Sequence, residues 1–451
     1  MRIYQMKIFP AFFSVLLAWL ATGCAPAPEL IRDVRMFDQN ALSLISSSTD
    51  DYLLVRPECS KAMDVRFDSL YFACWHSKGV RISRADALWG LRYYQNRSVF
   101  GENKRKRPAG WVGGLAGSAD TTSYPNRRLL GITIAKSNLR VLPTSKPAFL
   151  DFKKPGEGYP FDYLQVSDIA PNTPVAVLHA TRDGSWLFVD TPVAPGWISA
   201  RDVSSADWAF RWQWETGIYA VVTKDHATVR AEDGRFLFHA PFGCILPFLY
   251  RDSAEVHVLA AVEDAQGNAV LTEAVVMSSD AAMKPVPLTK SNIAKAVNVL
   301  LGETYGWGGL YGDRDCSATI RDLFVPFGIF LPRNSANQAK AGKASISLEN
   351  LSSMEKEKII LEKGIPFLTL LHLKGHIMLY VGTRGGRALA FHNLWGVRTK
   401  SFWGREGRHV VGQAVITTLS PGMEMRNANP DAEILKRLDK MVFLVEPSEV
   451  R

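Results

Sequence analysis

One segment constrains this chain more than any other: Tyr305-Gly306-Trp307-Gly308-Gly309, followed closely by Asp313-Arg314-Asp315-Cys316-Ser317-Ala318-Thr319. The glycines read as a turn, since glycine enters left-handed backbone without steric cost. After the cysteine, Ile320, Leu323, Phe324 and Phe327 recur at i, i+3, i+4 and i+7, the apolar face of one helix. Asp315 is a natural N-cap and Gly328 a natural stop. Cys316 therefore falls in the first turn. There the positive end of the helix dipole is expected to lower the thiol pKa and favour the thiolate. Most cysteines are simply small buried hydrophobes. Only Cys316 combines a glycine-rich approach, a cap and a helix start.

A nucleophilic cysteine needs a base and a third group that orients it. Gly375-His376-Ile377-Met378-Leu379-Tyr380-Val381-Gly382 is an apolar run between glycines, which predicts a buried strand with a histidine at its start. Gly385-Gly386 signals a hairpin, and Ala388-Leu389-Ala390-Phe391-His392 a second strand. Adjacent strands can bring His376 and His392 together. His372 and His376 stand four apart, but Leu373 occupies the place where a zinc peptidase needs its glutamate. No glycine-rich phosphate loop is present either, so neither a metal nor an organic cofactor is expected.

These residues, Tyr-x-Trp-Gly-Gly, Asp-Cys-Ser, Gly-His-Ile-x-Leu-Tyr-Val-Gly and the later histidine, resemble the NlpC/p60 family of papain-like cysteine peptidases over roughly residues 290 to 420. The resemblance implies Cys316 as nucleophile, His376 as general base and His392 as the residue orienting it. It places Tyr305, Asp315, Ser317 and Ser335 around the substrate. It implies cleavage of bacterial cell-wall stem peptides, often between D-Glu and a diamino acid. Several members carry Leu-Pro-Arg-Asp-Ser after the cysteine helix to bind the substrate's free amine. Leu331-Pro332-Arg333-Asn334-Ser335 puts an amide where that carboxylate would be.

A length of 451 residues suggests several domains, and a net charge of +9 suits an anionic neighbourhood such as a cell wall or lipid headgroups. Lys104-Arg105-Lys106-Arg107 is the one dense basic run, with no nucleic-acid fold around it, so no nucleic acid is expected as a partner. Residues 1–23 read as a signal peptide, too short for a comfortable membrane span. Its end, Leu20-Ala21-Thr22-Gly23-Cys24, resembles a bacterial lipobox. That implies lipidation at Cys24 and a lipid-anchored place in the cell envelope, the outer membrane if the cell has one. Export permits disulfides. Cys59 and Cys74 could pair or sit as free buried thiols, and Cys244 reads as core.

Residues 24–135 carry helical signals, with Ser83 as a cap. Residues 136–204 change to short strand-like runs, among them Leu139–Thr144, Phe161–Val166 and Pro174–His179, with an Asp183-Gly184 turn and Gly196-Trp197-Ile198. This set resembles a bacterial SH3 domain, and 205–283 reads as a second, weaker one. Trp208, Trp212 and Trp214 lie between the barrels and are read as interdomain packing. A linker leads into the catalytic domain, 288–451, whose first helix would be capped by Ser291. The expected architecture is multidomain: an α+β papain-like catalytic domain preceded by two small SH3-like β-barrels and a helical N-terminal segment. The expected function is a γ-D-glutamyl-L-diamino acid endopeptidase acting on stem peptides with a free N-terminal L-Ala. The turn holding Glu157, Tyr159, Asp162 and Tyr163 is the expected reader of that amine. The rivals are a non-catalytic wall-binding lipoprotein and an amidase or acyltransferase on the same scaffold.

Overall fold

The structure is a computed structural model and describes residues 30–45 and 52–450. The signal segment and Cys24 lie outside the described residues. The N-terminal part is helical. Its longest helix, α1 (Pro57–Tyr71), opens with proline at the start, where the missing N–H costs nothing. Ser83 caps a short following helix by accepting from the Asp86 amide, as its position suggested. Cys59 packs against the core of the C-terminal domain, whereas Cys74 is buried in the core of the second barrel. Facing different cores, they remain two free thiols.

The first barrel is a seven-stranded antiparallel sheet: β1 (Leu129–Thr133), β2 (Ser137–Arg140), β3 (Gln165–Ile169), β4 (Pro174–Ala180), β5 (Trp186–Asp190), β6 (Gly196–Ser199) and β7 (Val203–Ser205), in the order β3-β2-β6-β5-β4-β1-β7. β1 lies inside the stretch read as helical, because it pairs with both β4 and β7. The strand expected over Phe161–Val166 begins only at Gln165. Ahead of it the Asp162 carboxylate accepts from the amides of Ala148 and Leu164 and folds the chain into a turn.

A helix, α2 (Trp208–Trp214), joins the barrels. Trp214 is buried, but Trp208 and Trp212 are each 70% exposed and stack on one another, so packing accounts for only one of the three tryptophans. The second barrel comprises β8 (Tyr219–Val222), β9 (Ala227–Ala231), β10 (Phe236–Ala240), β11 (Ile245–Arg251), β12 (Glu255–Glu263), β13 (Ala269–Met277) and β14 (Ala281–Met283). Cys244 is buried in its core, as read from the sequence.

The C-terminal domain starts with α3 (Lys290–Leu300). Its cap is Thr289 rather than Ser291, because the Thr289 side chain accepts from the Asn292 amide. Next come α4 (Cys316–Phe324), α5 (Ser335–Ala341), α6 (Ser353–Lys363) and α7 (Ile434–Arg437). They surround six antiparallel strands: β15 (Ala344–Ser347), β16 (Thr369–Leu373), β17 (His376–Arg384), β18 (Arg387–Lys400), β19 (Glu406–Thr418) and β20 (Lys440–Phe443). Alternation along β17 explains its continuous apolar run. Ile377, Leu379 and Val381 meet Ile320, Leu323 and Phe324 of α4. Met378 and Tyr380 face Ile360, Leu435 and Leu438 on the other side. A strand buried on both faces has no room for polar alternation.

Charged groups fasten the parts together. Buried Lys284, in the linker, donates to Asp64 and Asp68 of α1. Buried Arg314 reaches Asp225 of the second barrel as well as Glu303 and Asp322 of its own domain. A buried cation is tolerated only with such partners.

Candidate active site

The glycine-rich turn exists because another domain presses on it. Gly308 and Gly309 have φ of +63° and +83°, and a Cβ on Gly309 would lie 2.4 Å from the Asp168 amide nitrogen of β3. Gln165 donates to the Gly308 carbonyl at 3.1 Å, and the Trp307 indole donates to the Asp162 carbonyl at 3.1 Å. The first barrel thus holds the approach to Cys316.

Asp315 caps α4 as expected, its Oδ1 accepting from the Ala318 amide at 2.9 Å. It also receives the Ser317 hydroxyl, the Gly308 amide and two nitrogens of Arg333, at 3.0 and 2.7 Å. Arg333 in turn donates to Ser167 of the barrel and to the Ser317 hydroxyl. After the cost of burial, Arg333 and these hydrogen bonds hold Asp315 below the usual carboxylate range. Asp315 and Ser317 therefore form a buried brace beneath the cysteine rather than surfaces of the cleft. Ser335 opens α5 and does not line the cleft, and Asn334 spends its side chain capping that helix. Of the four residues expected around the substrate, Tyr305 lines the cleft.

Cys316 is 7% exposed at the head of α4. The amides of Ile377, just after His376, and of Ser317 point at its thiol. With the Ala318 amide taken by Asp315, the Cys316 amide remains at the helix head as a donor for a developing oxyanion. The expectation of a resting thiolate needs correction. Burial, then the Asp315 carboxylate, pushes the thiol up to about 12. Burial, then the charge of Arg437, pulls His376 down to about 4. Both shifts favour a neutral thiol and a neutral imidazole at rest.

The two histidines do meet. β17 pairs with β18 with Leu379 opposite Phe391, and His376 Nε2 lies 2.7 Å from His392 Nδ1. His392 is fully buried, and its Nε2 lies 3.0 Å from the Thr417 hydroxyl. Thr417 donates its own proton to the Thr418 carbonyl at 2.6 Å. That fixes the whole chain of tautomers. The Thr417 oxygen must accept, so His392 carries its proton on Nε2. His392 Nδ1 then accepts from His376 Nε2–H, and His376 Nδ1 keeps a free lone pair. Thr417 has no local signal in the sequence. The β18–β19 register alone brings it there. His372 stands on the neighbouring strand β16 and spends its Nδ1 on Asp439 at 2.6 Å.

The cleft encloses about 270 Å³. Gly156 and Phe161 of the first barrel, with Tyr305, Trp307 and Trp395, wall one part of it. Phe161 packs edge-on against both Trp307 and Trp395. The expected amine reader does not present a free carboxylate there. Asp162 is buried and paired with Arg140 at 2.7 Å. Glu157 lies on a different groove, 3.9 Å from Lys154.

Comparison with known proteins agrees with this domain architecture. Residues 302–393 match the NlpC/P60 family, 147–199 an SH3 domain of SH3b1 type, 207–253 an SH3 domain of SH3b2 type, and 11–124 the N-terminal NLPC_P60 stabilising domain. The chain is 27% identical over 228 residues to a γ-D-glutamyl-L-lysine dipeptidyl-peptidase of Bacillus subtilis (strain 168), covering 47% of this chain and 68% of that protein. Its fold is similar to that of a novel NlpC/P60 endopeptidase from Photobacterium damselae subsp. piscicida, with a TM-score of 0.80 and 26% identity over 90% of this chain and 97% of that one. The chain thus carries an NlpC/P60 domain, preceded by an NLPC_P60 stabilising domain and two SH3 domains.

Proposed function

We propose that this protein is a cysteine endopeptidase that cleaves the γ-D-glutamyl-L-diamino acid bond of murein stem peptides. One observation carries the reading: the hydrogen-bonded line Thr417–His392–His376 leaves a lone pair on His376 Nδ1, while the Cys316 thiol at a helix head lies against the amide of Ile377, the residue next to His376. As the Cys316 thiol attacks the carbonyl carbon, His376 Nδ1 takes its proton. The Cys316 amide receives the oxyanion, a contribution typically worth about 3 kcal/mol per donor. The imidazolium then passes that proton to the departing amine, leaving a thioester. Water attacks the thioester, His376 again removing the proton, and the thiol is restored.

The bond assignment is supported by the Bacillus subtilis relative, whose name specifies a γ-D-glutamyl-L-lysine dipeptidyl-peptidase. The barrel wall around Phe161 and Trp307 supports a short acyl portion, so that free L-Ala-γ-D-Glu fits and a sugar-linked peptide does not. With Asp162 and Asp315 both committed to arginines, the free ammonium would meet neutral acceptors such as the Tyr305 hydroxyl. Lipidation at Cys24 would keep the enzyme on the envelope membrane beside this substrate. Incubating wild type and Cys316→Ala with L-Ala-γ-D-Glu-L-Lys and weighing the products tests the chemistry. Release of L-Ala-γ-D-Glu by wild type alone is expected. Equal release by the variant would refute the mechanism.

A further inference from the structure

Beyond His376 the cleft becomes cationic. Lys374, Arg398, Arg408 and Arg437 line it, and none of its lining residues is an aspartate or glutamate. Among the described residues none of the three arginines has a carboxylate within ion-pair distance, although Arg314, Arg333 and Arg140 each do. Arg398 and Arg408 are direct cross-strand partners on β18 and β19. Like charges in that register destabilise a sheet. Burial and the neighbouring Arg398 also pull Arg408 and Arg437 below the ordinary guanidinium range. Arg398 is exposed and Arg408 and Arg437 are half-buried, so an anion can reach all three, and one seated among them would relieve this repulsion. Guanidinium forks match carboxylate geometry.

The cluster has a definite side. Along β18, Trp395 packs against Phe161 and Tyr305, and Arg398 lies about 10 Å further on. The barrel lies toward Trp395 and the arginines lie away from it. Arg437 stands near enough for its charge to act on His376, the residue that must reach the departing nitrogen.

We propose that Arg398, Arg408 and Arg437 form a carboxylate-binding subsite on the leaving-group side of the scissile bond, selecting peptides whose diamino acid carries a free carboxylate. This rests on the peptidase reading above. The carboxylate has two sources: the main-chain terminus of the diamino acid, or the second carboxyl at the far end of a diaminopimelate side chain. Three substrates separate them: L-Ala-γ-D-Glu-L-Lys, its C-terminal amide, and L-Ala-γ-D-Glu-diaminopimelate with the main-chain carboxyl amidated.

The measured quantity is the ratio of kcat/KM for each carboxylate substrate to that for the lysine amide, taken within each protein so that general damage cancels. Wild type is expected to favour at least one carboxylate substrate by about 10-fold or more, and Arg398→Gln and Arg437→Gln to bring that ratio within about 3-fold of unity. A preference for the free lysine acid assigns the main-chain terminus, and one for the amidated diaminopimelate assigns the side chain. Equal wild-type cleavage of all three, or a ratio unmoved in both variants, would overturn the subsite alone. Cleavage of none would remove the peptidase reading and the subsite with it.

Discussion

The line from Thr417 to His376 makes a demanding prediction for Thr417→Val. Valine matches threonine in shape and removes only the hydroxyl. His392, fully buried, would then hold an Nε2–H with no acceptor. Leaving a buried donor unpaired costs about 1–3 kcal/mol. His392 can escape by moving its proton to Nδ1, but that atom faces His376 Nε2 at 2.7 Å. Two N–H groups cannot share that contact, so His376 would have to move its own proton to Nδ1, the atom that must accept from the thiol. A shift of ~1–3 kcal/mol is about 5- to 150-fold in the fraction of base-competent imidazole. kcat should fall by that factor with KM little changed, and Thr417→Ser should restore most of it. Steady-state kinetics on L-Ala-γ-D-Glu-L-Lys measures the effect, and nitrogen NMR of the imidazoles reports the tautomers. Wild-type kcat in Thr417→Val, or a serine variant as poor as the valine one, would refute the reasoning.

The pH profile should follow His376. Its value of about 4 in the fold lies below its ordinary 6.5, so kcat/KM should hold from neutrality to about pH 5 and be halved near pH 4. Because the unfolded chain binds this proton first, the stability contributed above pH 6.5 is lost as pH falls from 6.5 toward 4. An activity midpoint near 6.5 would contradict the buried neutral base. With the thiol pushed up to about 12, the rate of Cys316 alkylation should climb with pH through 7 to 9, and a rate constant flat down to pH 5 would show a resting ion pair instead. Arg333→Ala leaves Asp315 buried without its cation, which should cost about 3–5 kcal/mol in urea unfolding. A loss below 1 kcal/mol would mean that the brace beneath Cys316 is not needed.

The sequence by itself determined the local parts. Periodicity after Cys316, the Asp315 cap and the apolar run after His376 are short-range signals, and each became the helix or strand expected, because capping and one-sided burial are set within a few residues. The barrels were legible in the same way, although β1 was not, since Leu129–Thr133 becomes a strand only by pairing with β4 and β7. Tertiary structure decided what the charged groups do. Asp162, Asp315 and Ser317 looked available in sequence, yet Arg140 and Arg333 consume them inside the fold. The thiol that a helix dipole should acidify is instead pushed up by burial and by the Asp315 carboxylate, groups that only the fold places there. Thr417 reaches His392, and Arg398, Arg408 and Arg437 reach the cleft, only through the long β18–β19 ladder and α7. Side-chain polarity is written in the sequence. Whether a polar group is spent on a neighbour or left facing the substrate depends on partners far away along the chain, and folding alone brings those together.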